Sequence, residues 1–197
     1  MNIIGKATSI NLRKVLWTCA ELALPYTRED WNETHAALNP NGMVPVLVDG
    51  GFVLWESNTI CRYLCTRHGS ALLPADAQGR ARVEQWMDWQ ATELNTAWRY
   101  AFMALVRNSP AHQDPAQVKA GVAAWNRHIG ILDAQLALTG AYGAGEDFTL
   151  ADVVLGLSVN RWMMTPMAKP AYRHVTAYYD RLNERPGFRE FGRNGVA

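Results

Sequence analysis

The sequence predicts an α/β unit followed by an all-helical unit. Three observations carry this. Short β-branched and apolar runs are concentrated before residue 56 and largely disappear afterwards. His68 to Gln78 (HGSALLPADAQ) has Gly, Pro and Asp but no period, as a linker does. Beyond it, apolar residues recur at helical spacing. The expected domains are residues 1–75 and 79–197.

Each element follows from local chemistry. Asn2 to Gly5 is a short strand, and Lys6 to Asn11 is a polar loop. Leu12, Val15, Leu16, Cys19 and Leu22 then recur at helical spacing, so a helix starts near Ser9–Asn11 and Pro25 closes it. Tyr26 to Trp31 makes a second strand, and Asn32 to Leu38 a short irregular or helical piece. Val44 to Val48 and Phe52 to Trp55 are apolar runs flanking Asp49-Gly50-Gly51, which predicts a hairpin. Glu56 and Ser57 open a third helical piece, buried through Ile60, Tyr63 and Leu64. The order β-α-β-(α)-β-β-α is the thioredoxin-like layout, a mixed four-stranded sheet with helices on its faces.

In the second unit, Val83 to Leu105 follows a three-and-four spacing that predicts one long helix to about Arg107. Asn108 to Pro115 breaks it. Val118 to Leu136 repeats the pattern as a second long helix, and Gly140 to Asp147 is a glycine-rich loop. Thr149 and Asp152 form a capping box at the head of a buried helix. Pro166 and Pro170 mark another break, Tyr172 to Glu184 is helical, and Arg185-Pro186-Gly187 introduces a short terminal helix.

Composition narrows the function. Apolar residues make up 49% of the chain and the net charge is +1, with Lys and Arg scattered, so nothing points to nucleic acid or a membrane surface. No stretch approaches the roughly 18 apolar residues of a membrane span, and no signal peptide is evident. Three cysteines without a framework (Cys19, Cys61, Cys65) fit a reducing, cytoplasmic setting. Cys61 and Cys65 share a helix face but lack further ligands, so no metal is expected and they read as small buried hydrophobes.

The stretch from Asn39 to Ile60 (NPNGMVPVLVDGGFVLWESNTI) carries the chemistry. Pro45 heads a strand, where its missing N–H is tolerated, and an X–Pro bond is open to the cis form. Such a turn leaves the Val44 N–H and C=O free to bond an extended peptide ligand. Glu56 and Ser57 add a carboxylate, a hydroxyl and helix N-terminal N–H groups, suited to a ligand with both an ammonium and a carboxylate. The alternative is a plain hairpin with an N-capping Ser57. The pattern NPxGxVPxLxxxxxxLxESxxI resembles the glutathione-binding half of the cytosolic glutathione S-transferases, in a bacterial-type form with a serine-type, theta-like first loop.

The resemblance extends over the chain and has several implications. In the family, the residue before a cis-proline pairs with the cysteinyl backbone of glutathione, and the acid–Ser pair holds the γ-glutamyl end; Val44, Pro45, Glu56 and Ser57 match these positions. It implies a transferase that joins glutathione to a small hydrophobic electrophile, or reduces a hydroperoxide with it, in a detoxifying homodimer. Many relatives carry a Lys just before the Val-Pro pair. Here that place is Met43, so an expected cation near the glycyl carboxylate is missing; Asn41, Asn39 and His35 are further candidates there. For His35 the competing and favoured reading is a surface residue.

The sulfur needs a donor at the end of the first strand. Neither Tyr nor Cys occurs there, which leaves Thr8, Ser9 and Asn11. Serine-type members show a pattern resembling S-x-x-x-R-x-V, and Ser9, Arg13 and Val15 match it. Ser9 is therefore the expected donor and Asn11 a second contact. The alternatives are that Ser9 only caps the helix and that Thr8 or a backbone N–H donates. Trp98, Phe102, Arg107 and Trp162 are candidates for the electrophile's wall, with core packing the competing role. A second reading of the whole chain is a non-catalytic glutathione- or ligand-binding protein of the same fold, because function belongs to the site and not the fold.

Overall fold

The computed structural model describes residues 1–197. Its first 67 residues build β1 (Asn2–Ile4), α1 (Ile10–Glu21), β2 (Thr27–Glu29), a 3₁₀ turn (Glu33–Leu38), β3 (Val46–Asp49), β4 (Phe52–Trp55) and α2 (Ser57–Arg67). The sheet order is β2-β1-β3-β4. β1 pairs parallel to β2, with Ile3 opposite Arg28, and antiparallel to β3, with Ile3 opposite Leu47. β3 and β4 close as a hairpin in which Leu47 faces Leu54. Gly50, at φ +64°, supplies the left-handed conformation that the two-residue turn demands. This is a thioredoxin-like sheet, mixed and four-stranded.

The remainder is helical: α3 (Ala77–Trp89), α4 (Asn95–Leu105), α5 (Pro115–Thr139), α6 (Leu150–Met164), α7 (Arg173–Leu182) and α8 (Pro186–Phe191). Two departures from the sequence expectation are instructive. The single long helix to Arg107 is interrupted by a π-helical turn over Gln90–Leu94. That wider turn coincides with a buried polar contact, in which the Gln90 side chain accepts from Lys14 Nζ (3.0 Å) and donates to Asn95 Oδ1 (3.1 Å). Hydrophobic spacing cannot register such a turn, because its apolar stripe continues. Ser57 is not an N-cap either: Glu56 holds the cap position, and Ser57 is the first helical residue.

α6 is the core of the second unit. Every residue from Leu150 to Trp162 is buried, including Asp152 and Arg161. Asp152 justifies its burial with four donors. One carboxylate oxygen accepts from Thr149 N–H (2.9 Å) and Oγ1 (3.1 Å); the other accepts from Gly143 N–H (2.8 Å) and the Tyr178 hydroxyl (3.0 Å). The box thus ties the glycine-rich loop and α7 to the start of α6. Burial is the larger influence and pushes the carboxyl up to about 6, against those hydrogen bonds.

The two units meet along α1. Trp17 is fully buried and packs on Phe148 and Phe188, with centroids 5.7 and 5.1 Å away. All three cysteines are buried in the core between α1 and α2 and are free thiols. No helix is long and apolar enough to cross a membrane.

Replacing Asp152 by Ala leaves its donors buried without an acceptor. The expected result is a loss of about 3 kcal/mol, read as a fall in the urea unfolding midpoint at unchanged slope.

Candidate active site

A cavity of about 390 Å³ opens beside the hairpin. Its walls include Asn11 from α1, Asn41 to Pro45 in part from the loop before β3, and Glu56 and Ser57 from the start of α2. Asn39, 4% exposed, shapes that loop: its amide donates to Met43 C=O (2.8 Å) and its Oδ1 accepts from Asn41 N–H (3.0 Å). The loop delivers Val44 to a cis peptide bond with Pro45. β3 begins only at Val46, and neither the N–H nor the C=O of Val44 meets a partner in the chain. An extended backbone laid along this edge finds one donor and one acceptor waiting.

Glu56 stands next to that edge at φ +70°, a conformation that costs a non-glycine residue about 1–3 kcal/mol. Strain of that size at a cavity wall is a mark of a functional position. The exposed carboxylate makes no hydrogen bond, and α2 begins without a side-chain cap. Its first N–H groups therefore remain available to an anion, reinforced by the helix dipole. Beneath them lies Lys14, 2% exposed, which donates to Gln90 Oε1 and to Asn58 Oδ1 (3.3 Å). Burial, the leading cause, pushes its ammonium down to about 8.

The first loop ends at Ser9, the N-cap of α1, whose Oγ accepts a long bond from Leu12 N–H (3.4 Å). That bond uses an oxygen lone pair and leaves the hydroxyl hydrogen free to donate. Asn11 lines the cavity, whereas Ser9 is half-buried just before it and Thr8 is exposed; neither belongs to the cavity wall.

Other expected residues fall elsewhere. His35 caps the 3₁₀ turn, its Nδ1 accepting from Asn32 N–H (3.1 Å), with Nε2 facing Glu29 at 3.7 Å. It is absent from the cavity because a capping bond holds its ring. Met43 lies on the wall and is 64% exposed. Phe102 and Trp98 pack edge to face on α4, with centroids 5.3 Å apart, and Arg107 reaches over Phe102 at 5.4 Å. Trp162 is only 2% exposed and donates to Asn126 Oδ1 (2.8 Å), so it offers a ligand no surface: its indole N–H has turned it into the helical core. Arg13, which the first-helix pattern includes, is buried, as is Arg161, which no pattern singled out; the available signal was a lone Arg in the mostly apolar α6.

A thioredoxin-like unit with an unpaired backbone edge, an uncapped helix start and an exposed carboxylate offers an extended backbone with charged ends a place beside the helical domain. Comparison with known proteins gives the family. Residues 8–67 match the family model described as glutathione S-transferase, N-terminal domain, and residues 94–186 that described as glutathione S-transferase, C-terminal domain. Glutathione S-transferase GstB of Escherichia coli K12 is 34% identical over 94% of each chain. Glutathione S-transferase F10 of Arabidopsis thaliana is 31% identical over 79% of this chain and 76% of that one. Among solved structures, the theta class glutathione S-transferase of Xanthomonas axonopodis pv. citri with glutathione bound superposes with a TM-score of 0.88, at 35% identity over 99% of this chain and 96% of that chain. The chain belongs to the glutathione S-transferase family, a family of transferase enzymes.

Because Asn39 sets the loop before Val44, Asn39→Ala should cost about 2 kcal/mol of stability, measured by thermal or denaturant unfolding.

Proposed function

We propose that the protein binds glutathione along the Val44 edge and activates its thiol for transfer to a small hydrophobic electrophile. The observation that carries this is the unpaired N–H and C=O of Val44, set beside the uncapped start of α2 and the free Glu56 carboxylate. In this reading Val44 pairs with the cysteinyl backbone in a strand-like manner. The γ-glutamyl ammonium meets Glu56, and its carboxylate meets Ser57 and the α2 N–H groups. Asn41 and Met43 lie toward the glycyl end. The bound proteins of similar fold, including one with glutathione, support the ligand's identity.

A free thiol ionises near pH 8.5, so a site working at pH 7 must favour the anion by about 2.7 kcal/mol to move it by about two units. The Ser9 hydroxyl hydrogen, unspent in the structure, and the start of α1 supply the donor and the dipole. Asn11 is the second polar contact. The thiolate then attacks the electrophilic carbon; the C–S bond forms, the leaving group departs with its electron pair, and the proton has gone to solvent. A hydroperoxide is the alternative acceptor. Serine forms no mixed disulfide with glutathione, so disulfide exchange through an enzyme thiol is not part of this scheme. An exposed apolar strip at Phe52 and Val53, with Phe52 packed 5.2 Å from Tyr63, gives a second copy of the chain a surface to cover.

Steady-state conjugation of 1-chloro-2,4-dinitrobenzene tests the scheme. Ser9→Ala should lower kcat by about 10- to 100-fold at pH 7 with glutathione affinity nearly unchanged, and Glu56→Gln should weaken glutathione binding about tenfold or more by calorimetry. Full activity in Ser9→Ala with loss in Asn11→Ala would move the donor to Asn11. Glutathione binding without turnover of any electrophile would make the protein a carrier.

A further inference from the structure

A second cavity, of about 270 Å³, adjoins the one beside the hairpin. Asn11, Glu56 and Ser57 lie on the walls of both. The second runs from the start of α2 to the π-helical turn, and Lys14 is part of its wall. Lys14 reaches it from inside α1 and is 2% exposed. An ammonium carries three N–H donors. Two are spent, on Gln90 Oε1 (3.0 Å) and Asn58 Oδ1 (3.3 Å), and the third meets no acceptor in the chain. Both acceptors are themselves fixed: Gln90 donates to Asn95 Oδ1 (3.1 Å), and Asn58 donates to Met87 C=O (3.2 Å). The position of the ammonium is therefore set before any ligand arrives.

Lys14 forms no ion pair with a carboxylate. The charged and titratable groups around it are Cys61 and Glu56 from α2 and its cap, Arg161 from α6, and Arg62 and Asp88 on the cavity wall. Arg62 and Asp88 pair with each other at 2.5 Å. Burial holds the Cys61 thiol up to about 11, so it is neutral at pH 7. Burial is also the leading influence on Lys14 and holds it down to about 8, with Cys61 and Glu56 raising it and Arg161 lowering it. At pH 7 Lys14 is thus a buried cation without an anion, a costly state that an entering carboxylate relieves. Glu56, of opposite sign and exposed, stands on the same wall. Two opposite charges on one wall suit a ligand end that carries both.

We propose that Lys14 is a specificity-determining residue of the glutathione site, binding the α-carboxylate of the γ-glutamyl end through its unspent N–H while Glu56 takes the ammonium. Ser57 and the first N–H groups of α2 donate hydrogen bonds to the same carboxylate, and Lys14 adds the counter-charge that they lack. Gln90 and Asn58 aim the ammonium, so the π-helical turn of the helical domain takes part in reading a ligand bound to the sheet domain. A thiol peptide without that carboxylate is discriminated against even when its backbone still fits the Val44 edge. This inference rests on the glutathione-binding reading and adds the residue that selects the α-amino-acid end.

Calorimetry on the full chain tests it with two probes. One is S-methylglutathione, which has no thiol to ionise. The other is the same peptide with 4-aminobutyryl in place of γ-glutamyl, which lacks only the α-carboxylate. Lys14→Gln keeps a donor for Gln90 and removes the charge. At pH 7 it should weaken S-methylglutathione about tenfold or more and leave the affinity for the second probe unchanged. The ratio of wild-type to Lys14→Gln affinity for S-methylglutathione should be constant from about pH 6 to about 7 and fall towards one as Lys14 loses its proton above about 8. A merely structural Lys14 gives no such fall. Should Lys14→Gln fail to fold, the lysine ε-carbon resonances of the wild-type protein carry the test: the Lys14 pKa should rise with S-methylglutathione and stay in place with the second probe. Equal weakening of both probes, a ratio independent of pH, or a Lys14 pKa unmoved by S-methylglutathione overturns the proposal and leaves glutathione binding standing. No binding of S-methylglutathione to the wild-type protein overturns both.

Discussion

The fit of Trp17 between the two domains is the contact on which the arrangement depends. The indole projects from α1 into a slot made by α6, α8 and the loop before α6. A Cβ added at Gly187 would lie 2.5 Å from the ring, and one at Gly156 would lie 3.2 Å from it. Both glycines are therefore space made for one aromatic side chain. The indole N–H donates to Glu21 (2.8 Å), and Glu21 in turn pairs with Arg185, whose guanidinium stacks 3.7 Å above Phe148. Burial of an indole of this kind is worth about 3–5 kcal/mol when it is truncated, before the polar shell is counted. The polar shell also fixes the ring's orientation, which area alone does not.

That single anchor makes α1 common to both halves of the cleft. The start of the helix presents Asn11 to the cavity beside the unpaired Val44 edge, with Ser9 just before it as the N-cap. One turn later Arg13 and Lys14 project into buried polar surroundings contributed by the helical domain, Lys14 onto Gln90 and Arg13 onto Asn194, Val196 and Ala197. A rotation of α1 would move both sets together. The π-helical turn at Gln90–Leu94 and the strained Glu56 are local irregularities on opposite sides of the same cleft. Irregular backbone is placed where polar groups must be aimed, and regular helix where apolar stripes suffice.

Legibility in the sequence followed the range of the chemistry. Hairpin, turn glycines, capping box and helix stripes depend on neighbours within a few residues, so Val44, Pro45, Glu56 and Ser57 could be read as one constellation. Long-range packing could not be read this way. Trp162 and Phe102 carry the aromatic signal of a pocket wall, yet both are packed into the core, Trp162 with its indole N–H on Asn126. His35 looked like a free polar group until Asn32 claimed its ring. Arg161 on α6 and Phe102 on α4 are far apart in the chain, and only the fold stacks one on the other. The π turn was invisible because the apolar residues on either side keep their spacing.

The central claim is that this cleft holds glutathione as a thiolate at pH 7. An ultraviolet difference spectrum of the protein with glutathione, titrated from acid to alkaline pH, tests it most directly. Thiolate absorption should appear about two pH units below the free thiol's pKa near 8.5 and should be lost from the Ser9→Ala protein in that range. Bound glutathione that ionises only near its free value would contradict the account, because the site would then hold the peptide without activating it.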